Sequence, residues 1–177
     1  MQAERLKDAI ARRFAACFLT LHPQKTKIAY CRDDRRQGAY PTVQFDFLGY
    51  TFRPRKVRGM GGGLFFGFNP GISTKSAVAI RQTMRRWQLH RRSDLTLEEI
   101  ARTVNPTIRG WINYYGAYYK TALAPVMAHF DKILSRWAMR KYKSLIRQRN
   151  AHRWVRSVAG RQPALFAHWA SFGAAAG

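Results

Sequence analysis

Catalysis needs reactive side chains in a recognisable order, and the candidates in this chain are its carboxylates, histidines and cysteines. Asp33 and Asp34 form the one adjacent pair of aspartates, a residue set that in other settings serves metal-dependent nucleotidyl transfer. Two-metal chemistry holds its ions ~4 Å apart with rigidly placed carboxylates. Here the pair lies in RDDRRQG, where neighbouring arginines neutralise it, and it reads as a solvated turn. No G-x-S-x-G, HExxH or Cys–His signature occurs, and His129 reads as a packing or surface residue. Cys17 and Cys31 make no CxxC and fit no zinc spacing with the five histidines. They read as reduced thiols in a cytoplasmic setting, with no disulfide-linked partner. The residues therefore nominate no catalytic group, no metal site and no cofactor.

The charge balance is more informative. The chain has 177 residues, of which 32 are Lys or Arg and 9 are Asp or Glu, for a formal net charge of +23. With 46% hydrophobic and 14% aromatic residues it is no disordered basic tail. Such self-repulsion opposes compaction, and a polyanion relieves it. No acid falls between Asp46 and Asp94 and none follows Asp131, whereas Arg136 to Arg161 contains basic residues at 136, 140, 141, 143, 147, 149, 153, 156 and 161. Solvated faces usually mix signs. A run without acids, interleaved with Trp137, Tyr142 and Trp154, favours nucleic acid instead. The N-terminus lacks an apolar signal core and no apolar run approaches the ~20 residues of a membrane span, so a membrane partner is not expected.

One aromatic stretch, RGWINYYGAYYK (109–120), combines both themes. On a helical wheel Ile108, Trp111, Ile112, Tyr115 and Tyr119 fall together as a core face, while Arg109, Asn113, Gly116 and Lys120 align beside them. Each helical glycine costs ~1 kcal/mol relative to alanine, so Gly110 and Gly116 point to close approach by a helix or by a sugar–phosphate backbone. Arginine pairs with phosphate in a two-pronged manner and tyrosine stacks on splayed bases. The stretch reads as a packed helix with a polar, RNA-facing edge.

The elements around it define an α+β chain. Leu6, Ile10, Phe14, Cys17 and Leu21 predict an amphipathic helix over 3–21, stopped by Pro23. TKIAYC (26–31) and VQFDFLGYTF (43–52) read as two strands of a hairpin about a polar loop. Residues 59–72 are a glycine-rich connector without a phosphate-loop GK[ST]. Helical patterning begins at Ser73, with Ala77, Ile80, Met84 and Trp87 on one face and Arg81, Arg85 and Arg86 at its flanks. Thr96 and Glu99 form a T-x-x-E capping box. Asn105-Pro106 is expected to end that helix and open the next. Met127, Phe130, Leu134 and Trp137 mark a long helix reaching about Gln148, a short helix covers 151–159, and 171–177 is a frayed tail.

Taken together, LTLHPQKTKIAY (19–30), FDFLGYTFRPR (45–55), IRQTMRRW (80–87) and TLEEIARTVNPTIRGWINYYGAYY (96–119) resemble group II intron reverse transcriptase/maturases over almost the whole chain. The R-G-W-x-N-Y-Y pattern is the most specific part. The resemblance implies a palm remnant at 1–58, thumb-like helices at 73–104 and the maturase-specific domain X at 105–170. It assigns Phe47, Leu48, Gly49 and Tyr50 to a primer-grip-like turn, Lys25 to the neighbourhood of a nucleotide site, and Arg109, Trp111, Asn113, Tyr114 and Tyr115 to the maturase motif. With Arg81, Arg85, Arg86, Lys120, Arg136, Arg140, Lys141, Lys143 and Arg147, the motif residues form the expected RNA-binding set. The family is one of RNA-directed DNA polymerases, but this sequence has no YxDD turn, so the chain resembles the C-terminal part of such a protein. The implied role is to bind group II intron RNA and promote its splicing, the RNA doing the chemistry. Mg2+ is then expected only with a full-length polymerase or with the intron RNA itself. Two alternatives stand beside it: part of an active polymerase whose catalytic segments lie upstream or in another chain, and a general nucleic-acid-binding protein.

Overall fold

A computed structural model describes residues 2–32, 38, 40–59 and 61–173; Asp33 and Asp34 lie outside the described residues. In chain order the elements are α1 (Gln2–Ala16), β1 (Phe45–Phe47), β2 (Tyr50–Arg58), β3 (Leu64–Ile72), α2 (Thr74–Arg86), α3 (Leu97–Tyr119), α4 (Ala124–Lys141), α5 (Gln148–Arg161) and α6 (Ala167–Phe172). Short 3-10 turns occupy Leu89–Arg91, Lys120–Ala122 and Lys143–Leu145. The strands form one sheet in the order β1-β2-β3, and the mostly helical remainder gives the expected α+β class. The chain divides into two compact units, Met1–Phe45 with Phe52–Asn69, and Asp46–Thr51 with Pro70–Gly177.

In the first unit, α1 ends at Ala16, well before Pro23. Phe18 adopts a left-handed φ of 57°, and the amides of Phe18 and Leu19 donate to the carbonyls of Ala15 and Phe14. That is the hydrogen-bond pattern of a Schellman stop, here closed by a residue other than glycine. Leu6, Ile10 and Phe14 do form a stripe, but α1 buries none of its residues. The expected strand at 26–31 is absent. Tyr30 donates its amide to the Thr42 carbonyl at 2.8 Å and stacks on Tyr40, and among the described residues no further ladder follows.

The hairpins lie one step later in the sequence than expected. Leu48 and Gly49, at φ 48° and 81°, make a two-residue turn inside VQFDFLGYTF, so this stretch supplies both β1 and the start of β2. The glycine run expected to be a connector closes the second hairpin: Gly59 donates to Gly63 and Gly62 to Gly59, and 64–72 is β3. Pro70 is tolerated because β3 is an edge strand. Pro54 sits in β2 beyond the reach of the three-residue β1, where no ladder bond is lost on that side.

The second unit contains the hydrophobic core, which gathers Met84, Ile100, Ile108, Leu123, Phe130, Leu134, Trp137, Ala151 and Phe166, all fully buried. Ser73 caps α2 by accepting from the Ser76 amide, and the Thr96–Glu99 capping box forms as expected, with bonds of 3.2 and 2.8 Å. Pro106, however, does not end the helix: α3 runs unbroken for 23 residues. An internal proline costs ~3 kcal/mol. Burial of Ile100, Val104 and Ile108 along one continuous stripe offsets it, and Pro106 itself faces solvent. Asn105 is used differently: its Nδ2 donates to the Leu165 carbonyl and its Oδ1 accepts from the Ala167 amide, which secures the start of α6. The short α6 was not expected from the sequence. It is also held by Asp131, buried in α4, which accepts from Trp169 Nε1 and bonds His168 Nε2, both at 2.8 Å. α4 stops at Lys141 rather than Gln148, since Tyr142 turns extended to pack on Trp137 and Trp154 while α5 folds back against α4.

The Leu48–Gly49 turn yields a direct test. A Cβ on Gly49 would meet Ser76 Oγ at 2.9 Å and Tyr115 Oη at 3.1 Å, on a backbone already in the left-handed region. The left-handed conformation alone costs an L-residue about 1–2 kcal/mol. Gly49→Ala is therefore expected to lower stability by about 2 kcal/mol in urea unfolding, and an unchanged midpoint would contradict this account of the turn.

Candidate nucleic-acid interface

The exterior of α4 is set by its phase. Phe130, Asp131, Leu134, Trp137 and Ala138 point into the core, so Lys132, Arg136 and Arg140 emerge at four-residue steps on the opposite side. Asp131 is the one carboxylate of α4 and it is buried, so nothing acidic interrupts that row. On α2, Ala77, Ile80 and Met84 are buried and Arg85 and Arg86 are exposed, with Arg81 partly so. The two helices pack together.

Their cations meet around His129. Burial, followed by the charges of Arg85, Arg81, Arg136 and Lys132, holds this imidazole below the ordinary histidine range. Its Nε2 is buried without a hydrogen-bond partner. Four positive side chains from two helices thus act on one point, an arrangement that raises the local potential far more than the same charges scattered. Beside them a cleft of about 350 Å3 is lined by His90, Arg136, Met139, Arg140 and Ile146.

The expected RNA-binding residues separate into two groups. Arg81, Arg85, Arg136 and Arg140 join the surface just described, and Arg86, Arg109, Asn113, Lys143 and Arg147 are exposed. Others serve the fold. Trp111 stacks on Trp87 with centroids 5.7 Å apart. Lys141 donates to the carbonyls of Ser93 and Leu95 and lies over the Trp137 ring, and Lys120 sits over Phe172. Trp137, grouped in sequence with the basic run, is fully buried and donates its indole N–H to the Arg92 carbonyl. Gly110 has open space where a Cβ would stand, so helix packing does not account for it.

The Leu48–Gly49 turn and the R-G-W-x-N-Y-Y motif form one constellation. Tyr114 Oη donates to the Leu48 carbonyl at 2.8 Å, Tyr50 Oη donates to the Tyr114 carbonyl, and Gly49 accepts the Ser73 amide. Tyr50 is ringed by Tyr114, Tyr115 and Tyr118, and burial ahead of these neighbours raises its phenol pKa. The two adjacent tyrosines are therefore clasps on a turn, although Tyr114 keeps one face in solvent. A cleft of about 500 Å3 opens next to the turn, lined by Phe47, Leu48, Lys75, Thr83, Trp111 and Tyr115 among others. Lys25 belongs to the first unit and is exposed in the turn that follows His22. Among the described residues no group of histidines, cysteines and acids is arranged to hold a metal, and no helix is long and apolar enough to cross a membrane.

Lys132 and His90 were not among the expected residues, and His129 was expected only to pack or face solvent. Lys132 was legible: it starts the 132–136–140 row but was hidden by its neighbour Asp131. The roles of the histidines depend on the approach of separate elements and left no local signal.

Residues 77–155 match the family model of the group II intron maturase-specific domain, a stretch from α2 into α5 that holds every cation around His129 and the whole R-G-W-x-N-Y-Y motif. No curated protein and no solved structure matches the chain.

His129 makes the stability of this face pH-dependent. A lowered folded pKa means that the unfolded chain binds the proton more readily, so stability falls as pH drops through about 6.5. His129→Gln should flatten the dependence of Tm on pH between about 7 and 5; parallel curves for the two proteins would refute this.

Proposed function

We propose that this chain is an RNA-binding maturase part that holds group II intron RNA in its splicing-competent fold, itself making and breaking no bond. The observation that carries this reading is the cationic face of α2 and α4 around His129, lying within the segment that matches the maturase-specific domain. Such a face gains affinity from counterions released by phosphates, and its shape selects irregular RNA. The tyrosine-clasped turn supports the same role indirectly, by giving α3 a rigid seat from which Arg109 and Asn113 project. Lys141 takes no part in this surface, since its ammonium is engaged by two carbonyls.

The test is binding of a folded group II intron RNA as a function of salt. About six phosphate contacts give a slope of log affinity on log salt near −5, and a slope near zero would overturn the proposal. Replacing Arg85, Lys132 and Arg136 together with glutamine should reduce that slope by about 2 to 3 units. Unrelated RNA of equal length competing equally would reduce the protein to a general binder. DNA synthesis by the purified chain in a primer-extension assay would overturn the non-catalytic part.

A further inference from the structure

The cleft beside the cationic face has a composition that phosphate binding alone does not explain. Arg136 and Arg140 stand one helical turn apart on α4 and, among the described residues, neither engages a carboxylate. Met139, which also packs on the core, lines the same cleft with His90 of the 3-10 turn and with Ile146, which leaves 69% of its surface in solvent. Two exposed guanidiniums suit phosphate oxygens. A thioether and an aliphatic side chain offer phosphate nothing, and a regular duplex presents them only grooves and charged ridges. The volume, about 350 Å3, falls at the small end of the ~300–1,000 Å3 range of ligand clefts.

We propose that this cleft seats a single unstacked nucleotide of the bound RNA, with its phosphate on Arg136 and Arg140 and its base against Met139 and Ile146. The inference rests on the RNA-binding reading and deepens it. The cations anchor any strand, whereas this pocket distinguishes a strand with an extruded base from one without. Continuity supports RNA as the occupant, since Arg136 belongs both to the cleft and to the charges around His129. The contacts to the base are apolar, so they place a base in the cleft without dictating which base it is.

The experiment uses the full chain and three RNA hairpins: one fully paired, one with a single bulged adenosine, and one with an abasic ribose phosphate at the bulge. The bulged RNA is expected to bind roughly tenfold more tightly than the abasic one, the order of effect of an apolar contact in a pocket. Ile146→Ser, at an exposed position, and separately Met139→Gln should bring that ratio towards one. The salt slope for the abasic RNA should stay unchanged in both variants. Equal binding of bulged and abasic RNA by the unaltered protein would overturn the nucleotide cleft and leave the RNA-binding reading standing; a cleft shaped for an acidic peptide would give that result. A ratio unmoved by both substitutions would also overturn it. Failure to bind all three hairpins at low salt would remove the cationic face as well.

Discussion

The bond between Asp131 and the pair His168–Trp169 organises the second unit. A carboxylate taken out of water is costly unless hydrogen-bonded, and here two ring nitrogens at 2.8 Å meet it. The bond fastens a six-residue helix that has little means of persisting alone. Asn105 completes the attachment from α3 through its two bonds to the 165–167 turn. The arrangement also disposes of the negative charge of α4. Turned outward, Asp131 would sit beside Lys132 and reduce the field of the row. Turned inward, it stabilises packing and leaves the exterior positive.

A similar economy governs the aromatic stretch. Its residue types suggest base stacking, and its geometry commits most of them to protein. Trp111 closes on Trp87, and Tyr114 and Tyr115 hold the Leu48–Gly49 turn against α3. Leu48 occupies a left-handed conformation that a branched side chain does not favour. Its carbonyl is held by Tyr114, so the turn persists through tertiary bonds rather than intrinsic preference. Within the second unit, the turn and the motif are one object although more than sixty residues separate them in the chain.

Where local chemistry decides, the fold was legible. The Thr96–Glu99 box, the Ser73 start of α2 and the core face of α4 follow from spacing and capping alone. Where two local signals compete, it was not. Pro106 reads as a stop, yet the apolar stripe of α3 passes through it because the proline faces water. GMGGGLFFGF reads as a linker because glycine dominates, yet Phe65 and Phe66 belong to an edge strand whose turn needs those glycines. For the candidate site, what the sequence made legible is the excess of arginine on α2 and α4. The convergence of these arginines on His129, and the withdrawal of Lys141 into carbonyl bonds, depend on contacts between elements far apart in the chain.

The burial of the sole carboxylate of α4 bears on how its outer surface responds to the medium. The row that remains outside carries the ammonium of Lys132 and the guanidiniums of Arg136 and Arg140. Dissolved ions, which shorten the reach of every exposed charge, govern the potential of that row directly.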